Sequence, residues 1–404
     1  MHKNNKLHGF KAFLILSVSL FFISQTKGQA LLSIRAYSTV SIGAAQFESY
    51  LPKLKNKRVG IVTNITGVIG KTSIVDTLIK LKVNVKRIFG PEHGFRSNTE
   101  AGEHVKSNRD HKTGLPVISL YGANKKPSKE QLKDIDVLIY DIQDIGVRYY
   151  TYISTLTYAM EACAENGKEL FVLDRPNPNG FYIDGPILTD EYQSFLGLHH
   201  VPIVYGMTCG EYAKMVNGEG WLKNKVTCKL TVIPLKNYDR KVFYALEVKP
   251  SPNIPNVQAV LLYPSLGLFE GTIISLGRGT DFPFQVLGNP LYSDTNFCFI
   301  PKASAISQEP RYVNRRCYGL DLRKSDYTVH HPRKIELSWL IKMYSNLSKQ
   351  EFFEANFNYH SGNKLLREQI QNNFPEEEIR SSWAEGLQNF KKIRERYLIY
   401  PDFN

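Results

Sequence analysis

From residue 57 the chain alternates short apolar runs with stretches of helical spacing. "KRVGIVTN" (57–64) is a near-continuous apolar run, the pattern of a strand buried on both faces. "TSIVDTLIKLK" (72–82) has its apolar positions at helical intervals, and "VNVKRIFG" (83–90) returns to strand. "PVISLYG" (116–122) and "IDVLIYDIQD" (135–144) follow as strands. "YISTLTYAMEACAENG" (152–167) reads as a helix ended by Gly167, and "KELFVLDRP" (168–176) as another strand. This βαβ rhythm predicts an α/β domain over 40–240, a parallel sheet with helices on both faces. Near 245 the rhythm changes. "KPSPNIPNVQAVLLYPSLGLFEGTIISLG" is rich in Pro and Gly, and helical patterns at 334–347 and 381–400 mix with β runs. Residues 241–404 are therefore expected to form a smaller α+β auxiliary domain.

The amino terminus does not fit this rhythm. Lys3, Lys6 and Lys11 precede an apolar stretch from Ala12 to Ile23, and small residues follow at Thr26 and Gly28. A stretch of that length is too short to span a bilayer, so 1–28 reads as a secretory signal peptide and the chain as exported, periplasmic or extracellular, without membrane insertion. The formal charge is +13, and removing the four lysines of the leader leaves +9. Such a balance suits an anionic partner such as a cell-wall polymer or acidic sugar. No Lys/Arg stripe is interleaved with aromatics, which speaks against nucleic acid. The five cysteines are scattered without a CxxC pair, which excludes a zinc ribbon and a disulfide-dense scaffold, and an odd number leaves at least one unpaired.

Ligands of parallel sheets bind outside the carboxyl ends of the strands, so the chemistry at those ends matters most. The predicted strands finish in Asn64 and Thr66, in Glu92 and His93, in Asp141 and Asp144, and in Asp174 and Arg175. Two apparent motifs fail on spacing. "TGVIGKTS" has Ile65 where a phosphate loop requires glycine, and "PEHG" is not HExxH. Neither a nucleotide cofactor nor a metal is called for, although Asp141, Asp144 and His93 offer hard-cation ligands for an alternative, metal-dependent hydrolase.

The blocks "GPEHGFR", "AGE", "TGLPVISLYG", "DIQDIGVRYYTYISTL", "DRPNPNG", "YGMTCGE", "SPNIP", "FEGT", "SLGRGTDFPF" and "FKKIRERYLIY" occur in this order. Together they resemble the exo-acting β-N-acetylmuramidases of the NamZ type, from about residue 42 to the end. Ser97 departs from the glycine expected after the arginine of "EHGFR". The resemblance implies a Rossmann-like domain bearing the site, an auxiliary domain, and a cleft between them. It also implies a glycosidase that removes terminal N-acetylmuramic acid from the non-reducing end of β-1,4-linked peptidoglycan fragments, with saccharides of N-acetylmuramic acid and N-acetylglucosamine as its partners and no cofactor. The non-enzymatic alternative is a wall-binding protein.

Glycoside hydrolysis needs a protonated carboxyl for the leaving oxygen and, in most families, a second carboxylate. Glu92, on a turn between Pro91 and Gly94 with Phe95 expected to close over it, is assigned as the acid, with His93 orienting it or touching substrate. Asp141, Asp144 and Glu270 compete for the second place. Glu270 is preferred because it lies in the Gly-punctuated "LFEGTIISLGRGT", where it is equally placed to pair with Arg278. Assistance by the substrate's own acetamido group is the third route, with Asp141 or Asp144 orienting that group. The lactyl carboxylate of muramic acid calls for a planar cation, and Arg148, Arg175 and Arg278 are the candidates. Tyr150 is placed to stack on a sugar, and Asn177 to contact one from its rigid Pro-flanked loop.

Overall fold

The computed structural model describes residues 40–96, 108–241, 244, 246–327 and 330–403. The expected leader, Ser97 and the "AGE" block fall outside them. The strands are β1 (Arg58–Thr63), a short hairpin of β2 (Val68–Ile69) and β3 (Thr72–Ser73), β4 (Asn84–Gly90), β5 (Asn108–Arg109), β6 (Pro116–Ser119), β7 (Val137–Asp141), β8 (Glu169–Leu173) and β9 (Lys229–Ile233). All but the hairpin join one sheet, in the order β5-β6-β4-β1-β7-β8-β9. Neighbours run parallel except β5, a two-residue edge strand antiparallel to β6. The chain moves outward from β1 through β4 to β6, then crosses back and continues through β7, β8 and β9. β1 and β7 therefore flank the switch point, where such sheets open a crevice.

Side chains of a strand alternate between faces, and here both faces are buried. Val62, Leu138, Tyr140, Leu170 and Val172 enter one core, while Ile61, Val137, Ile139, Phe171 and Leu173 enter a second. Helices α1 (Phe47–Leu54) and α2 (Ile74–Lys80) supply Tyr50, Leu54, Ile74, Val75 and Leu78 to the second core. The short α3 (Lys129–Leu132) adds Leu132 to the larger one, and α4 (Tyr152–Glu165), α5 (Cys209–Gly218) and α6 (Val257–Leu266) pack there too. Ser73 caps α2 through its hydroxyl, and Thr208 with Glu211 forms a capping box on α5. The predicted stop at Gly167 has the left-handed φ of 62° that ends helices.

Beyond α6 come a three-stranded antiparallel sheet, β10 (Val286–Asn289), β12 (Cys317–Asp321) and β11 (Cys298–Phe299), and a set of short helices. The carboxyl-terminal segment returns to the main sheet. The Tyr400 hydroxyl donates to Asp174 Oδ2 at 2.7 Å and accepts from Leu235 N at 2.8 Å. Buried Arg240 pairs with Glu211 at 2.7 Å and also donates to the Tyr400 carbonyl. These bonds satisfy charged groups that would be costly left unpaired in the interior. All five cysteines are free thiols, and Cys298 is exposed. Among the described residues no helix is long and apolar enough to cross a membrane.

Candidate active site

β4 delivers its carboxyl end into the turn Pro91–Gly94, closed by a bond from Gly94 N to Pro91 O at 2.9 Å. His93, at the third position, has a left-handed φ of 69°, uncommon for a side-chain-bearing residue. The turn places Glu92 and His93 in the wall of a chamber of about 170 Å³. The Thr151 hydroxyl donates to Glu92 Oε2 at 3.0 Å, and the Tyr121 hydroxyl lies near enough to feel the charge of the same carboxylate. Burial first, and then the Glu92 charge, push the Tyr121 and Tyr152 hydroxyls up, so both remain protonated donors. His93 Nε2 lies 3.3 Å from Ser251 Oγ.

Phe95 does not close over the carboxyl. It is buried in the second core with Ile61 and Ile88, with the Arg96 guanidinium 4.5 Å over its ring. An apolar ring after a strand end gains more from that core than from covering a polar turn.

The opposite wall of the chamber comes from the carboxyl-terminal half. α6 is capped by Asn256, whose side chain accepts from Ala259 N at 3.0 Å, and runs into a tight turn at Gly267–Gly271 that presents Glu270. Arg278 lies between Gly277 and Gly279, both with left-handed φ (74° and 79°), on a backbone that folds its side chain back to Glu270. Arg278 Nη2 meets Glu270 Oε1 at 2.6 Å, each side chain about a quarter exposed. Among the described residues this is the one hydrogen bond of the guanidinium, which also lies 5.0 Å over the Phe284 ring. The Tyr263 hydroxyl points to Glu270 Oε2 at 3.5 Å, and burial holds that phenol protonated. Tyr150 lines the chamber as well, edge-on to Tyr152 and Tyr263, with its hydroxyl donating to Pro250 O at 2.6 Å.

Glu92, His93, Tyr150, Glu270 and Arg278 are thus brought together, whereas the other candidates go elsewhere. Arg148 is fully buried: its Nη1 donates to the carbonyls of Pro186 (3.0 Å) and Val201 (2.9 Å), and its Nη2 to that of His360 (2.9 Å). It therefore ties three segments together and does not face a ligand. Asp141 is fully buried and held on both oxygens by Arg175, Nε to Oδ1 at 2.6 Å and Nη2 to Oδ2 at 3.0 Å. That pair forms because the ends of β7 and β8 are neighbours in the sheet. Arg175 lines a separate crevice of about 310 Å³ at the switch point, with Thr66 and Gln143. Asp144 turns inward and accepts from the Tyr205 hydroxyl and from Gly146 N, and burial raises it to about 6. Asn177 donates to Met207 O at 2.8 Å and accepts from Asn179 N, which rigidifies its loop instead of exposing an amide. Strand ends that the pattern placed on a single rim are divided between two openings. Among the described residues no three His, Cys, Asp or Glu side chains are grouped to hold a metal ion.

Tyr121, Thr151, Ser251, Tyr263 and His360 were not singled out from the sequence. Thr151 and Ser251 lie inside quoted blocks, "DIQDIGVRYYTYISTL" and "SPNIP", so a block-by-block reading could have reached them. For His360 there is no local signal, since α8 (Phe357–Ser361 in chain order after α7, Ser338–Ser345) reaches the chamber only through long-range packing.

Comparison with known proteins places these walls in context. Residues 59–258 match the family model "Exo-beta-N-acetylmuramidase NamZ, N-terminal", and residues 261–400 match its C-terminal counterpart. Glu92, His93 and Thr151 fall in the first match and Tyr263, Glu270, Arg278 and His360 in the second. The chain is 42% identical over 372 residues to the peptidoglycan beta-N-acetylmuramidase NamZ of Bacillus subtilis strain 168, covering 87% of this chain and 89% of that protein. Two crystal structures of DUF1343 family proteins from Bacteroides fragilis NCTC 9343 share the fold. One has a TM-score of 0.84 and 44% identity, covering 90% of this chain and 100% of that one. The other has a TM-score of 0.78 and 33% identity, covering 90% and 99%.

Proposed function

Since the chain belongs to the exo-β-N-acetylmuramidase NamZ family, we propose that it is an exo-acting glycoside hydrolase of peptidoglycan fragments, releasing N-acetylmuramic acid from their non-reducing ends. The observation that carries this is the chamber itself, where a strand-end carboxyl, Glu92, and a carboxylate–guanidinium pair, Glu270 with Arg278, face one space.

In this reading Glu92 protonates the glycosidic oxygen as the bond to the anomeric carbon breaks. The Thr151 hydroxyl holds Glu92 through Oε2, leaving Oε1 to carry the proton. Glu270 supplies the second charge, either activating water or stabilising the cationic anomeric carbon. Substrate-assisted cleavage through the acetamido group leaves it the orienting role instead. Water completes the reaction: its hydroxyl goes to the anomeric carbon, and its proton restores the acid. Arg278 is the cation for the lactyl carboxylate. It donates one N–H to Glu270 and presents the rest of its fork to the chamber. His93, held at Ser251, lies beside the acid and contacts the sugar.

The test is hydrolysis of an aryl β-N-acetylmuramide beside the matching glucosaminide, with the natural disaccharide as a third substrate. Glu92→Gln is expected to lower turnover of the disaccharide by roughly 10²–10⁴-fold, and that of the aryl glycoside much less, because nitrophenolate leaves without a proton. Equal losses on both would remove the acid role, and cleavage of the glucosaminide alone would remove the muramidase reading. The leader-like amino terminus supports export to the periplasm or medium, checked by fractionating cells that express the full chain.

A further inference from the structure

A chamber of about 170 Å³ is smaller than the roughly 300–1,000 Å³ usual for ligand sites, so it takes the terminal sugar and little else. The acid stands at the bond that breaks, and the rest of the fragment must lie on the far side of Glu92. Tyr121, near enough to Glu92 for that carboxylate's charge to help push its hydroxyl up, is not among the groups lining the chamber. It meets Phe195 edge-on at 6.5 Å, and Phe195 lies almost parallel to Tyr158, 6° between planes at 6.2 Å. Tyr158 in turn lines a second opening of about 490 Å³. The two openings share the segment 193–200: Leu196 faces the chamber, and Gln193 and Leu198 face the second opening.

The walls of that opening suit a saccharide. Trp221 stacks on buried His199, 25° between planes at 5.6 Å, and His199 Nε2 lies 3.2 Å from Thr157 Oγ1, so the indole is held rigid. Rigid aromatic faces give a pyranose ring large contact at low entropic cost. The charges are uneven. Lys126 is neutralised by Glu161 (3.0 Å) and Glu165 (2.6 Å). Lys125 lies over the Phe195 ring, and Lys223 has no ion pair among the described residues. Two ammonium groups are left for a carboxylate-bearing sugar.

We infer that this opening is the leaving-side subsite, binding the glycan that continues beyond the cleaved bond, with Tyr121, Phe195 and Tyr158 as the aromatic bridge to it. The inference rests on the glycosidase reading and names the part of the substrate that the chamber cannot hold. A second muramic acid in the chain would bring its lactyl carboxylate toward Lys125 and Lys223.

The experiment compares kcat/KM on an aryl β-N-acetylmuramide, which has no glycan on the leaving side, with that on a tetrasaccharide of alternating N-acetylmuramic acid and N-acetylglucosamine. In Tyr158→Ala the ratio of tetrasaccharide to aryl muramide is expected to fall about tenfold. Phe195→Ala is the companion, because Phe195 lies on a loop and its loss leaves α4 intact. A ratio equal to that of the unaltered chain in both variants overturns the subsite. Failure of the unaltered chain to hydrolyse either muramide overturns the glycosidase reading instead, so the two outcomes separate.

Discussion

Replacing Arg148 by Met distinguishes a structural cation from a substrate-reading one. The side chain is fully buried, and its three bonds run to carbonyls of Pro186, Val201 and His360. Leaving each carbonyl without its donor costs about 1–3 kcal/mol, or about 6 kcal/mol for the set at mid-range. Part of that is offset. Burial pulls the guanidinium well below its ordinary value, down to about 10, which corresponds to about 3 kcal/mol of penalty for keeping it charged inside. Met fills a similar length without that penalty, so the net loss is about 3 kcal/mol of unfolding free energy. Denaturant unfolding followed by the fluorescence of the three tryptophans measures it. Turnover of the aryl muramide at 25 °C should change far less than stability, because the Arg148 side chain bonds to none of Glu92, Glu270 and Arg278 and its one hydrogen bond to a chamber residue goes to the His360 carbonyl. Unchanged stability, with a selective loss on the muramide relative to the glucosaminide, would refute this and return the guanidinium to the lactyl group.

Gly362 has a left-handed φ of 89°, and a Cβ there would stand 2.3 Å from Arg148 Nη2, so Gly362→Ala should cost more than about 1 kcal/mol in the same unfolding assay. Asp144 has a folded-state value of about 6 against an ordinary 3.8, so the fold favours its protonated form. Its contribution to stability is complete below about pH 4 and is lost as pH rises through 6, by about 3 kcal/mol. Asp144→Asn should flatten that part of the stability–pH curve, and a curve of unchanged slope would show that another group titrates there. Arg278→Ala should raise KM for the muramide by roughly 10–100-fold and leave the glucosaminide nearly unaffected, the value of a charge-assisted bond to the lactyl carboxylate. Parallel increases for both substrates would place the arginine in positioning Glu270.

The elements were legible because they depend on near neighbours. Continuous apolar runs became strands buried on both faces, and a run of helical spacing became α4, ending before Gly167. The strand-to-turn switch at Pro91–Gly94 put Glu92 at an opening for the same local reason. Partner choice was not legible. By motif context Arg148, Arg175 and Arg278 were equal claimants for a carboxylate. Sheet order gave Arg175 to Asp141 on the adjacent strand, chain closure gave Arg148 to three carbonyls, and the glycine-flanked loop returned Arg278 to Glu270. Periodicity and punctuation act over a turn or a strand. Which charged groups meet depends on the order in which strands join and on where a distant helix such as α8 comes to rest, and those are properties of the closed fold.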